Sequence, residues 1–283
     1  IEDDKVVPVI RNISRTNDES DAVFYFPGCG SERLFSQVGL ATQAMLFEVG
    51  AITVLPPGYL CCGYPQTSSG DEVKGQEITS DNQIQFHRVA NTLNYLDIKT
   101  VIVSCGTCMD QLQKYEFEKI FPGCRLLDIH EYLMEKNIKL DGITGQQYMY
   151  HDPCHSPMKT YNPTEVTSTL MNQSVPLNDK CCGESGTFAA ARPDIASQVK
   201  LRKQEEIEKG LLEISSAPIA DAKPVKILTS CPSCLQGLQR YGDDTDTTAD
   251  YIVVELAKHN LGANWLEDYV EKATKGGIEK ILL

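Results

Sequence analysis

No stretch of this sequence approaches the roughly 18 consecutive apolar residues of a membrane-spanning helix, and no signal-peptide pattern stands at its start. Positive charge is short: 26 Lys and Arg face 39 Asp and Glu, a net charge of −13. That balance argues against a nucleic-acid backbone or an anionic membrane surface as the main partner. Nucleotide loops are missing too. Gly28-Cys29-Gly30 begins like a dinucleotide-binding turn, but Arg33 stands where a third glycine is required. The closely spaced four-cysteine run of ferredoxins is also absent. Ile1 in place of methionine marks the chain as a candidate piece of a longer protein.

Cysteine is what the chain has in plenty, with 11 among 283 residues. A disulfide scaffold is a poor explanation. The chain is long enough to bury its own core, the count is odd, and adjacent cysteines pair only under strain. Metal or redox thiol chemistry in a reducing, cytoplasmic compartment is the better expectation. The arrangement repeats: a single cysteine (Cys29, Cys154), a doublet before glycine (Cys61-Cys62-Gly63, Cys181-Cys182-Gly183), and a C-x-x-C pair (Cys105/Cys108, Cys231/Cys234). Cys29 to Cys105 spans 76 positions and Cys154 to Cys231 spans 77, so one site is written twice, about 125 residues apart.

The elements between these cysteines alternate. Residues 1–21 are polar and read as a linker or lead-in. Ala22–Phe26 is a buried-strand pattern ended by Pro27-Gly28, so Cys29 follows a strand end. A helix through Leu34–Leu46, a strand at Ile52–Leu55, a helix over Asp81–Leu96 and a strand at Thr100–Ser104 come next, then a Cys124–Leu127 strand and a helix. The second half replays this with strands at Tyr148–His151 and Val225–Leu228 and helices at Pro163–Met171 and Pro193–Lys209. Asp128-Ile129-His130-Glu131 also resembles the stretch beginning at Asp250. Alternation of this kind predicts an α/β protein of two pseudo-repeated, Rossmann-like lobes with parallel sheets, 22–146 and 147–261, and a tail over 262–283. Ligands of such sheets collect beyond the carboxyl ends of the strands, where all ten repeated cysteines fall.

Soft thiolates suit zinc, iron–sulfur clusters and copper(I). Zinc and a cubane cluster each take four ligands, whereas each repeat supplies five. Adjacent cysteines find more use on a cluster with several irons than on one zinc ion, so iron–sulfur is favoured. A zinc-binding structural or assembly module and metal-free dithiol chemistry at the C-x-x-C pairs are the alternatives.

Phe26-Pro27-Gly28-Cys29, His151-Asp152-Pro153-Cys154-His155 and Cys181-Cys182-Gly183-Glu184-Ser185-Gly186-Thr187, in this cysteine spacing, resemble the tandem cysteine-rich CCG domain over about 22–258. That domain occurs in a subunit of heterodisulfide reductase and in iron–sulfur subunits of glycolate oxidase and lactate-utilisation systems. Glu184–Phe188 followed by Arg192-Pro193-Asp194 is similar to the C-terminal part of fused FAD-linked oxidase/iron–sulfur oxidoreductases. The resemblance implies one cluster per repeat, of the non-cubane [4Fe–4S] type, held by Cys29, Cys61, Cys62, Cys105 and Cys108 and by Cys154, Cys181, Cys182, Cys231 and Cys234. It implies flavoprotein and ferredoxin-type partners, with FAD in a partner domain or subunit and any membrane association through them. It also implies electron exchange with a lactate- or glycolate-type dehydrogenase, or alternatively disulfide or heterodisulfide reduction at the clusters.

Cys124, outside the repeat, reads as a small buried hydrophobe. His151 and His155 flank Cys154 as structural residues or donors to cluster sulfur. His87, His130 and His259 read as surface or packing residues, and Gly63 and Gly183 as places needing positive φ or close passage by sulfur. Tyr64-Pro65 after the first doublet, against Glu184-Ser185 after the second, predicts two sites of different polarity and potential.

Overall fold

The computed structural model describes residues 3–141, 145–184, 188–214 and 223–283. Ser185, Gly186 and Thr187 of the second doublet's motif lie outside them. Two sheets form. In the first, β1 (Val6–Ile10), β2 (Ala22–Phe26), β3 (Ile52–Val54), β4 (Ile98–Val103), β5 (Arg125–Asp128) and β9 (Ile278–Leu282) lie in the order β5-β4-β2-β3-β1-β9. In the second, β6 (Tyr148–His151), β7 (Lys226–Thr229) and β8 (Thr248–Tyr251) are parallel, in the order β6-β7-β8. Leu177 adds a parallel bridge to Tyr150, at the place β3 holds beside β2. Each lobe therefore carries the same parallel order, and the expected pair of repeated α/β lobes is present.

The ends of the chain depart from expectation. Val6–Ile10, within the stretch read as a lead-in, is a strand that pairs antiparallel with β3 and with β9 from the tail. Pro8 within the run and a partner some 270 positions away hid it from local periodicity. These antiparallel edges are the exception to the parallel sheets.

The helices are α1 (Ser36–Glu48), α2 (Tyr64–Ser68), α3 (Glu72–Thr92), α4 (Gly106–Leu112), α5 (Phe117–Ile120), α6 (Ile129–Glu135), α7 (Pro163–Met171), α8 (Phe188–Ala191), α9 (Pro193–Ile214), α10 (Pro232–Gln239), α11 (Gly242–Thr245), α12 (Ile252–Asn260) and α13 (Trp265–Lys272). α3 begins nine residues before the expected Asp81, because Asp71 accepts from the Lys74 N–H and caps it. The largest core joins the lobes: Tyr25, Met45 and Tyr132 of the first pack with Tyr150, Leu228 and Val253 of the second. His130 lies wholly within this seam. Its Nδ1 pairs with Asp128 Oδ1 at 2.7 Å, and its Nε2 accepts from the Val253 N–H at 3.2 Å, at the start of α12.

β5 ends on Asp128 and β8 on Tyr251, and Ile129 and Ile252 open the next helices. The structural counterpart of Asp128 is thus Tyr251, one position beyond the Asp250 that sequence likeness picks out.

Candidate metal centres

In each lobe the cysteines gather where the sequence places them, past the carboxyl ends of the parallel strands. Cys105 and Cys231 are the extended N-cap residues of α4 and α10, which follow β4 and β7. One helical turn on, Cys108 and Cys234 point back beside them. Gly63 and Gly183 adopt φ of +87° and +80°, the left-handed turn that lets each doublet present both thiols. Their N–H groups reach the preceding sulfurs, Gly63 to Cys61 Sγ at 3.5 Å and Gly183 to Cys181 Sγ at 3.4 Å.

The first group is continuous. Cys108 Sγ lies 3.5 Å from Cys62 Sγ, and the thiols of Cys29 and Cys61, Cys61 and Cys62, and Cys105 and Cys108 act on one another. All five thiols belong to one network. In the second group Cys182 Sγ is 3.3 Å from Cys234 Sγ, and the free thiols of Cys181 and Cys231 act on Cys182 and Cys234 in turn. Cys154 is exposed and stands off, acting on Cys181 through its charge. Four of the second set converge and the fifth lies near them. Cys124 is elsewhere, half-buried against the first lobe's core, where burial pushes its thiol up to about 11.

Close packing splits the thiols electrostatically. Hydrogen bonds from Cys29 and then Cys62 hold Cys61 down at about 2, and Cys108 holds Cys105 down at about 6. Cys181 and Cys234 hold Cys182 far down, with help from His151. The donors Cys29, Cys108, Cys181 and Cys234 are pushed up. A fully deprotonated set at these separations requires positive charge among the sulfurs. Soft iron or zinc supplies that charge, so the donor set fits a thiolate-bound metal centre.

Both doublets are anchored the same way: Tyr115 Oη donates to the Cys62 carbonyl at 2.9 Å and Tyr241 Oη to the Cys182 carbonyl at 3.1 Å. Tyr25 and Tyr150 bond Ser104 and Ser230, the residues before each C-x-x-C pair. At the seam, Tyr251 Oη lies 2.6 Å from the Ser104 carbonyl and 2.8 Å from the Ser230 carbonyl. One buried hydroxyl therefore ties both C-x-x-C turns together. The loops also interlock. The backbone of His155 lies so close over Gly106 that a Cβ there would stand 1.5 Å from its carbonyl oxygen, while Pro232 lies 3.6 Å from the corresponding point on Gly30. His155 Nδ1 pairs with Asp110 at 2.5 Å and its Nε2 with Tyr64 Oη at 3.1 Å, joining the second lobe's first cysteine loop to the first doublet.

Sequence reading missed Tyr251, Tyr115, Tyr241 and Lys203. The recurrence of Tyr115 and Tyr241, seven residues after Cys108 and Cys234, is the signal that could have found two of them.

A family model described as "Cysteine-rich domain" matches residues 23–113 and again 148–239, and one described as a domain of unknown function matches 239–283. Among curated proteins, the chain is 25% identical to a fumarate reductase (CoM/CoB) subunit of Methanothermobacter marburgensis, over 74% of this chain and 40% of that one. It is 24% identical to the probable glycolate oxidase iron-sulfur subunit of Bacillus subtilis, over 78% of this chain and 50% of that one. Lactate utilization protein A of Oceanobacillus iheyensis is 23% identical over 65% of this chain and 80% of its own length. The chain spans half the length or less of the first two of these relatives. Among the described residues no helix is long and apolar enough to cross a membrane.

Proposed function

The chain belongs to the cysteine-rich domain family, carrying the domain twice, and on that premise we propose that it is the iron–sulfur electron-transfer part of an oxidoreductase that oxidises a 2-hydroxy acid through a flavin. The observation that carries this is the convergence of two cysteine groups past the parallel strand ends, with one buried hydroxyl bridging the turns that carry their C-x-x-C pairs. Bound clusters would supply one-electron chemistry. Cys29, Cys61, Cys62, Cys105 and Cys108 would hold one of them. Cys181, Cys182, Cys231 and Cys234, with Cys154 from its nearby loop, would hold the other.

The chain's own part is to fix the sulfurs and exclude water. Cys62, Cys105, Cys108, Cys182, Cys231 and Cys234 are each at most 9% exposed. Burial of this kind limits the reorganisation of water that accompanies a change of charge. Names of the relatives support oxidation of lactate or glycolate as the electron source; the flavin, in a partner domain or subunit, is part of this proposal. The experiment is metal and acid-labile sulfide analysis of protein purified without oxygen. Iron with comparable sulfide is expected; stoichiometric zinc without sulfide would replace this reading by a structural zinc module. Incubating reduced protein with small disulfides separates electron transfer from disulfide reduction.

A further inference from the structure

The two thiol groups share one framework and differ in the charge built around them. The strand ends correspond through Tyr25 and Tyr150, so Phe26 in the first lobe stands where His151 stands in the second. The long helices correspond as well: Gly75, Asn82 and Phe86 are buried on α3, and Ala196, Lys203 and Ile207 on α9, each pair 121 positions apart. Neutral Asn82, which bonds the Cys61 carbonyl at 2.7 Å, thus faces a counterpart that is cationic.

Lys203 is fully buried. Its Nζ donates to the carbonyls of Asn178 at 2.8 Å and Asp179 at 2.7 Å and to His151 Nδ1 at 3.1 Å. Three acceptors match the three protons of an ammonium, which accepts nothing. That fixes the histidine. With Nδ1 accepting, a neutral ring carries its proton on Nε2, which is buried and has no hydrogen-bond partner among the described residues. A ring nitrogen of His151 lies within 4.8 Å of both Cys182 Sγ and Cys234 Sγ, and of the two the ring acts on Cys182, which it helps to hold down. The ring is therefore placed to donate to the site.

A buried ammonium also needs an anion nearby. Among the described residues no carboxylate lies within ion-pair distance of Lys203. Burial lowers the Lys203 amine to about 8, and Cys182, then Glu206 and Asp179, hold it up against that. Its counter-charge is the thiolate site itself.

We propose that Lys203, acting through His151 on the Cys182 sulfur, holds the second site at a more positive reduction potential than the first. A hydrogen bond to sulfur backed by a buried cation stabilises the extra electron of the reduced state. The first site has Phe26 and Asn82 in those positions; Thr107 Oγ1 lies 3.2 Å from its Cys105 Sγ, but among the described residues no buried cation stands behind it. Electrons entering at the first site would therefore pass to the second. The proposal rests on the iron–sulfur reading above.

The test is a redox titration, followed by electron paramagnetic resonance, of the whole anaerobically purified chain, with iron and sulfide measured on each sample. His151→Phe and Lys203→Asn give the second site the residues of the first. Full iron with the higher midpoint moved negative by tenfold or more in the one-electron equilibrium, about 59 mV or more, and the lower midpoint unmoved, is expected. Full iron with unmoved midpoints overturns the proposal and leaves the iron–sulfur reading standing; wild-type protein without iron and sulfide overturns both. Should either substitution impair folding, Cys62→Ser decides the matter with Lys203 and His151 intact. It disables the first site, and the surviving signal must be the more positive of the wild-type pair; survival of the more negative one overturns the proposal.

Discussion

Replacing Tyr251 by phenylalanine keeps the ring, which packs 5.3 Å from that of His130, and removes only the hydroxyl between the two C-x-x-C turns. That hydroxyl has one proton and two buried acceptors, the carbonyls of Ser104 and Ser230. Ser104 keeps a second, longer contact with Ser31 Oγ at 3.4 Å and loses less. A buried acceptor left without its donor costs about 1–3 kcal/mol. Charging Ser230 in full and Ser104 in small part gives about 2–3 kcal/mol for Tyr251→Phe. At about 2–4 °C per kcal/mol for chains approaching this length, the melting temperature should fall by about 4–12 °C. Differential scanning calorimetry without oxygen, with Tyr161→Phe as a surface control, measures this. The control hydroxyl bonds Glu135 in solvent, and its loss should stay within about 0.5 kcal/mol. If Tyr251→Phe melts within a degree of wild type, the seam does not depend on that bridge and the reasoning fails.

Three further outcomes follow from the same geometry. Gly106→Ala drives a methyl group into the His155 carbonyl, so it should destabilise by about 3 kcal/mol or more, whereas Gly30→Ala meets only ordinary contact with Pro232 and should cost at most about 1 kcal/mol; paired thermal melts decide, and equal losses would refute the interlock. Burial pushes the Glu255 carboxyl up, but its hydrogen bond with Lys226 and the charge behind it prevail, and the group ends below its ordinary value. A lowered carboxyl contributes stability that is complete above the unfolded value, about 4.3, and is lost as pH falls below it. Glu255→Gln should therefore be less stable at pH 7 and lose less between pH 5 and pH 3 than wild type, as read by denaturant unfolding; parallel profiles would refute it. Cys124→Ser should leave iron, sulfide and both midpoints unchanged, and any loss of iron would give that thiol a role it lacks in this account.

Three of the parallel strands were legible because each is a short apolar run: Ala22–Phe26 and Tyr148–His151 fall where the pattern puts them, and Ile98–Val103 overlaps the expected Thr100–Ser104. The gathering of cysteines was legible for the same reason, since strand ends of one sheet share an edge. Long-range partners were not. The pairing of β1 with β9, the contact of His155 with Gly106 and the two acceptors of Tyr251 depend on segments that only the assembled lobes bring together. His130, read as a helix residue of surface or core, is buried against the other lobe's α12 for a reason no local pattern carries. Lys203 was the best hidden: it sits in the charged run Lys200-Leu201-Arg202-Lys203-Gln204-Glu205-Glu206, yet its side chain turns inward to three acceptors.

The central claim is that two separate thiol groups each hold an iron–sulfur centre. Iron and acid-labile sulfide per chain in Cys62→Ser and Cys182→Ser, measured beside wild type after anaerobic purification, test it most directly. Each substitution should remove about one site's share and leave the other site's signal intact. Protein that holds zinc and no sulfide, or the same iron content in wild type and both variants, would contradict it.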